Sequence, residues 1–426
     1  MRPGPRVQAS IELLDAIEAG GDAADRIIAA YFRRRRYAGS KDRAAVSELV
    51  YAILRRRAWL DWRLANAGAG TGQARLLVLA QLADGEVPDN EIAALFDGSE
   101  HAPLALSLEE TAIIQLLRRP PSGSPPPSVV GNYPSWLHAK LERRFGTNLA
   151  AEMAALNERA PLDLRVNTLR SDRSNVLEQL RADGFDAEPT PYARTGVRVA
   201  GSRRIDSHAH YREGLVEIQD EGSQIVADLV GAQPGERIID YCAGAGGKTL
   251  ALAALMGNQG EVVACDTGPV RLRNLAPRAA RAGATNIRIC AQDNPETTGV
   301  ADRVLLDVPC SGTGAWRRRP DARMAFSQEK LNEYNALQGE LLVKGAALTA
   351  PDGVLVYATC SILVEEGADR VESFLDSSGN FEVVPPDALW TQFLDGDRPG
   401  AGPFVNLSPA STRTDGFFVA VLRRMS

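Results

Sequence analysis

No run of about 18 uninterrupted apolar residues occurs in the 426-residue chain, so no membrane-spanning helix is expected. The first 21 residues spread acids through their apolar part and lack an apolar signal core, which argues against a secretory leader. Cysteine is scarce. The five cysteines, Cys242, Cys265, Cys290, Cys310 and Cys360, are odd in number, contain no CxxC pair and all lie in one stretch of the C-terminal half. Neither a disulfide framework nor a zinc knuckle is expected, which points to a reduced, cytoplasmic protein. Each cysteine is a small buried hydrophobe unless its position argues otherwise. Histidine numbers only four. His208 and His210 form an HxH pair, but no third ligand lies nearby in sequence, so a surface pair and no metal site is expected.

What is present suits a folded protein. Apolar residues make up 44% and charged residues 24%, ordinary values that allow a sizeable core, and the length predicts two or three domains. The net charge of −6 argues against a uniformly basic polyanion binder. The total hides an asymmetry: residues 1–78 carry 14 Lys/Arg against 8 Asp/Glu, whereas residues 79–112 carry 8 Asp/Glu and no Lys/Arg. A basic patch therefore coexists with an acidic sum, and the local field steers a polyanion.

Residues 1–118 read as all-helical. A helix is expected from Asp42 to Leu64, with Val46, Leu49, Val50, Ile53 and Leu54 on one stripe. Two arginine runs, Arg33–Arg36 and Arg55–Arg57, accompany it and are read either as a solvated face or as an RNA contact. Residues 119–132 are rich in proline and serine and predict a linker. Residues 133–213 read as a helical connector followed by a small α/β subdomain, and 214–426 as alternating strands and helices. Strands are expected at 237–241, 261–265, 287–290, 303–307, 353–358 and 417–422, with helices at 269–282 and 328–349. Apolar strands alternating with helices predict a parallel sheet covered on both faces.

The segment IIDYCAGAGGKT is a strand, a glycine-rich turn and a helix start, a device that brings backbone close to a ligand. A P-loop fails because Cys242 stands where a glycine is needed. A dinucleotide fingerprint is only partly met by Gly244, Ala245, Gly246 and Gly247. Carboxylates follow three successive strands: Asp266, placed to take ribose hydroxyls, Asp293, placed to accept from an adenine amine, and Asp307. Ribose and adenine without phosphate favour S-adenosylmethionine. The alternative is that these are ordinary helix-capping aspartates.

DVPCSG and YATCS place Cys310 and Cys360 at the carboxyl ends of two strands, where α/β enzymes put their chemistry. A thiolate beside a methyl donor suits a pyrimidine. Addition of sulfur at C6 makes C5 enamine-like and able to attack a methyl group. Asp307, three residues before Cys310, is the candidate to hold the cytosine, and a second thiol can assist product release.

These residues resemble the Nol/Nop/Sun family of RNA cytosine-5 methyltransferases, in its bacterial RsmB (Sun/Fmu) branch, over nearly the whole chain. DYCAGAGGKT resembles the cofactor loop, DVPCSGTG and YATCS the two cysteine motifs, and DGFFVAVL the closing strand. RVN at 165–167, IQDEGSQ at 218–224 and WLHAKL resemble flanking stretches. The resemblance implies a Rossmann-like S-adenosylmethionine-dependent methyltransferase domain, preceded by an all-α NusB-like domain and a small RNA-recognition-like α/β subdomain. It implies Cys360 as nucleophile, Cys310 as an aid to release and Asp307 as a contact to the base. Cys242, Ala243, Gly244, Ala245, Gly246, Gly247, Lys248, Asp266, Asp293 and Asp307 would hold the cofactor, and Lys248 could touch either cofactor or RNA. Small-subunit ribosomal RNA is the implied partner of a monomeric enzyme. Three positions depart from the family pattern: Ala245 for proline, Val308 for alanine, and Glu366–Gly367 for a glutamate–asparagine pair. An inactive RNA-binding assembly factor, an enzyme acting on another RNA and a DNA-type enzyme using Cys310 as nucleophile are the alternatives.

Overall fold

The computed structural model describes residues 1–426 apart from 86, 202–204 and 292–298. These residues form two compact units, 1–159 with 316–326, and 160–315 with 327–426. No helix among the described residues is long and apolar enough to cross a membrane.

The first unit is helical. Val46, Val50, Ile53 and Leu54 are buried as their spacing predicts, packed with Leu13, Leu60, Leu77 and Leu79. The helix expected over 42–64 is two helices, Ser40–Arg55 and Arg57–Asn66. The interruption has a local cause. Asn132 puts its side-chain amide into the helical ladder, donating to Leu54 O at 3.2 Å and accepting from Ala58 N at 2.9 Å. Those two groups would otherwise bond to each other, and an inserted side chain is an established origin of a helix break. Residues 316–326 are anchored here by Arg323, a fully buried side chain. Its guanidinium donates to Leu156 O at 3.0 Å, Asn132 O at 3.2 Å and Gly131 O at 3.3 Å.

In the second unit, β1 (Leu162–Val166), β2 (Ala187–Pro189), β3 (Gly196–Val199) and β4 (Val216–Ile218) form an antiparallel sheet in the order β2-β3-β1-β4. The small sheet thus runs past residue 213. The helix Arg173–Ala182, capped by Asp172, buries Val176, Leu177 and Leu180 in the same apolar cluster as this sheet.

The large sheet contains β5 (Arg237–Asp240), β6 (Glu261–Asp266), β7 (Ile287–Ala291), β8 (Ala301–Asp307), β9 (Thr349–Thr359), β10 (Phe381–Val383), β11 (Val405–Leu407) and β12 (Phe417–Arg424). The order is β10-β12-β9-β8-β5-β6-β7, with β11 also on β12. Strands β5 to β9 pair in parallel, and β12 is antiparallel to β9. The near-continuous apolar runs follow from burial on both faces. The helix expected over 269–282 is divided into Pro269–Leu272 and Leu275–Ala282. Pro277 explains the restart, because proline is tolerated only in a helix's first turn. Strand order reverses between β5 and β8, and ligands of open α/β sheets bind outside the carboxyl ends at such a switch point.

Candidate active site

The loop after β5 occupies that switch point. Gly244 and Gly246 take φ of 56° and 84°, a left-handed backbone that favours glycine. A Cβ on Gly246 would also run into Leu275. The turn delivers the chain into the helix Gly247–Leu255, whose first N–H groups lack helical partners. Asp266, at the end of β6, ties the loop down. Its Oδ2 accepts from Gly244 N at 2.8 Å, and its Oδ1 from Gly268 N at 2.6 Å and Arg271 at 2.9 Å.

A pocket of about 370 Å³ opens beside this loop, lined on one side by Cys242 to Ala245, Gly247, Lys248 and Asp266, and on the other by Asp307, Cys310 and Cys360. Asp240 lies at its floor. One of its oxygens accepts from Thr249 Oγ1 at 2.7 Å, while Oδ1 has no partner among the described residues. Burial, reinforced by the Asp307 charge, pushes the Asp240 carboxyl up to about 7. Lys248 Nζ donates to Asp307 Oδ2 at 2.7 Å. Burial lowers the Lys248 pKa, but the charge and hydrogen bond of Asp307 more than offset it and hold the ammonium above its ordinary value. The buried amine is therefore charged at neutral pH and paired with the carboxylate that precedes the first cysteine motif.

Strands β8 and β9 are parallel neighbours in register, Asp307 opposite Ala358. The motifs that follow them emerge side by side, and Cys310 Sγ lies 3.4 Å from Cys360 Sγ. The hydrogen bond to Cys360, then burial, raises the Cys310 thiol well above its ordinary range, so Cys310 keeps its proton near neutrality. Cys265 and Cys290 face each other across β6 and β7 and are buried, as expected of structural cysteines. Asp293 lies outside the described residues.

Two residues of this site were given no role from the sequence. Asp240 ends its strand immediately before the loop, a position that could have singled it out. Glu366 is fully buried and reaches both cysteine motifs. It accepts from Ser311 N at 2.8 Å, Ser361 Oγ at 2.6 Å and Gln338 Nε2 at 3.1 Å, and also from the Ser311 hydroxyl. Gly367, one of the departures from the family pattern, packs against Phe418, where a Cβ would come within 2.8 Å of the ring.

The donor set fits S-adenosylmethionine. It offers an orphaned buried carboxylate oxygen on Asp240, a glycine turn open to close approach, a carboxylate after β6, and no cluster of phosphate-binding cations among the described residues of the pocket. Lys248 and Arg271, the cations lining it, are already paired with Asp307 and Asp266.

The family described as 16S rRNA methyltransferase RsmB/F matches residues 227–423. The RsmF/B-like ferredoxin-like domain matches residues 133–206. The chain is 31% identical over 409 residues to ribosomal RNA small subunit methyltransferase B of Yersinia pseudotuberculosis, covering 89% of this chain and 90% of that protein. It is 32% identical over 300 residues to a probable ribosomal RNA small subunit methyltransferase B of Synechocystis, covering 69% and 67%. Among solved structures, PH0851 shares the fold over 99% of both chains, with a TM-score of 0.79 at 24% identity. A methyltransferase homologue from Pyrococcus horikoshii matches 70% of this chain and 98% of its own, with a TM-score of 0.61 at 27% identity. With the Rossmann-like sheet and the ferredoxin-like subdomain in place, the chain belongs to the RsmB/F family of 16S rRNA methyltransferases.

Proposed function

We propose that the chain methylates C5 of a cytosine in small-subunit ribosomal RNA through a covalent adduct between Cys360 and C6 of the base. The observation that carries this reading is the 3.4 Å approach of the Cys310 and Cys360 sulfurs in the pocket shared with the glycine loop and Asp307. S-adenosylmethionine, the methyl donor of this family, supplies an electrophilic methyl group to that pocket when bound. The residues to hold it are the Cys242–Lys248 loop and Asp266, with Asp240 beneath.

The rest of the chemistry belongs to the chain. The Cys360 thiolate adds to C6, forming the S–C6 bond and making C5 nucleophilic. The Lys248 ammonium lines the same pocket as Cys360 and is held there by Asp307. Asp307 holds Lys248 with one oxygen and turns the other to the cytosine. Once C5 carries the methyl group and Cys360 is joined to C6, Cys310, having given its own proton to solvent, takes the C5 proton as a thiolate. The S–C6 electron pair then returns to the sulfur as the C5–C6 double bond re-forms. The base must leave its stack to reach either sulfur, so loop or single-stranded RNA is the better substrate.

Bisulfite sequencing of ribosomal RNA from cells with and without the gene tests the reading. One small-subunit cytosine is expected to lose its protection in the deletion strain and regain it on complementation. An unchanged pattern of protected cytosines in small-subunit RNA would sink the assignment.

A further inference from the structure

The small antiparallel subdomain holds a second cluster of chemistry-bearing side chains, none of which lines the pocket. The helix Arg173–Ala182 ends at Asp183, and Gly184 follows with φ of 79°. This turn sets the carboxylate against the short helix Ala209–Arg212. His208 caps that helix, its Nδ1 accepting from His210 N at 3.4 Å. That bond is long, and a metal at Nε2 would place the ring proton on Nδ1 and break it; Nε2 faces Asp183 Oδ2 at 3.5 Å. His210 is only 6% exposed. Its Nε2 lies 3.9 Å from the same oxygen and has no hydrogen-bond partner among the described residues. All three ligand atoms fall within 4.8 Å of one another. The fold thus supplies the third ligand that the HxH pair lacks in sequence.

An ordinary His–Asp ion pair does not account for this geometry. Both imidazoles converge on one carboxylate oxygen, and neither comes closer to it than 3.5 Å. A buried ring nitrogen left without a partner is unfavourable. Zinc–ligand bonds of about 2.0–2.1 Å at tetrahedral angles place ligand atoms ~3.4 Å apart, so the pairs with Asp183, at 3.5 and 3.9 Å, are near that spacing, while the widest, up to 4.8 Å, must close by ~1.4 Å. Closing it takes a turn of the His208 ring, which is 24% exposed. The edge of one aromatic ring holds the other wall, Phe185 packing on His208 with centroids 5.0 Å apart.

We propose that Asp183, His208 and His210 bind a divalent transition metal of the zinc class, with water completing its coordination. Two imidazoles and a carboxylate without thiolate suit zinc, nickel or copper rather than calcium or magnesium. The ion would tie the end of the Arg173–Ala182 helix to the segment entering β4, bracing the ferredoxin-like subdomain. The proposal does not depend on the methylation reading.

Zinc titration of the full chain, followed by calorimetry, tests it against His208→Ala and Asp183→Ala, both of which alter partly exposed side chains. The cysteines also bind zinc, so the readout is a difference. The unaltered chain is expected to take up one zinc ion more than either variant and to show a zinc-dependent rise in Tm that both variants lose. Cobalt(II) gives a second readout. The site should show visible bands without sulfur charge transfer, absent from His208→Ala. Equal zinc stoichiometry and equal affinity in all three proteins would overturn the proposal, as would retention of those cobalt bands in His208→Ala.

Discussion

Glu366 and Ser311 join the two cysteine motifs into one frame. One oxygen of the fully buried carboxylate accepts the backbone N–H of Ser311, the residue after Cys310, and the other accepts the hydroxyl of Ser361, the residue after Cys360. Gln338 completes the arrangement by donating to both Glu366 and Pro309 O. A charge-assisted hydrogen bond contributes about 1.5–3 kcal/mol. Glu366→Gln should therefore lower stability by about that amount. A small displacement of reacting groups costs far more in rate than in stability, so methyl transfer should fall at least ~10-fold with S-adenosylmethionine affinity unchanged. Glu366→Ala should be worse on both counts. Chemical denaturation, cofactor titration and initial rates together decide it, and a normal rate in Glu366→Ala would remove Glu366 from the site's framework.

Asp266 is expected to act on the cofactor in two ways. As the proposed ribose contact it would accept from the hydroxyls, and it already holds Gly244 N and Gly268 N. Asp266→Ala should weaken S-adenosylmethionine binding by about 1.5–3 kcal/mol, the scale of a missing charge-assisted hydrogen bond. RNA affinity should change little. Arg271→Ala removes only the largely exposed partner of Asp266 and should cost less than ~1 kcal/mol. Calorimetric titration with each ligand separates these outcomes.

Asp240 gives the stability of the ligand-free protein a pH dependence with a definite sign. Burial raises its carboxyl from 3.8 to about 7, so the folded chain keeps a proton that the unfolded chain has released. Between those values the unfolded state binds fewer protons, and stability falls as pH rises. The decline should begin near pH 4 and level off above about 7. Asp228, also raised to about 7 by burial, adds a slope of the same sign. The test is therefore a comparison: denaturation of Asp240→Asn across this range should show a shallower decline than the unaltered chain.

The arginine runs separate once their partners are known. Arg56 pairs with Asp84 and bonds Gln81 at 3.1 Å, and Arg57 reaches Glu18 at 2.9 Å and Asp61 at 2.7 Å. Arg35 reaches Glu12 at 3.0 Å and lies over the Tyr31 ring. Arg33, Arg34 and Arg36 are exposed. Changing these three to Gln should flatten the dependence of RNA affinity on salt, by somewhat under one unit of log–log slope for each phosphate no longer engaged. Changing Arg56 and Arg57 should instead lower stability. An unaltered slope in the first variant would make that run a solvated face.

Local signals made part of this legible. Apolar runs bounded by glycine, proline and aspartate marked six of the eight strands of the large sheet within a few residues; the three-residue β10 and β11 are too short to carry such a run. The cysteines could be placed at strand ends because each motif follows its strand directly. Relationships across long separations were not legible. Ser311 lies 55 residues from Glu366, and Asn132 lies 74 residues from the Ala58 N–H it captures. No periodicity reports an amide inserted from elsewhere in the chain. The same holds for Arg323, whose position after the first cysteine motif gives no sign that it is buried among the helices of the other unit.

The two cysteines are distinguished by the order of steps. Attack at C6 requires a thiolate, and only a few per cent of an unperturbed thiol is ionised near neutral pH. Cys310 is held protonated by its bond to Cys360 and by burial, which argues against it as the attacking thiolate; that bond is gone once Cys360 is joined to C6, when Cys310 can act in release. Cys360→Ala should therefore give neither adduct nor methylated product. Cys310→Ala leaves attack and methyl transfer in place but slows departure of the sulfur. It should accumulate a protein–RNA adduct that survives denaturing electrophoresis, provided S-adenosylmethionine is present. Both chains should fold, because each change removes one sulfur at a half-buried position rather than a large core side chain. Loop RNA should form the adduct faster than duplex, since unstacking the base costs less there. The opposite pattern, an adduct in Cys360→Ala that is absent in Cys310→Ala, would exchange the roles of the two sulfurs and make the DNA-type order of events the correct one.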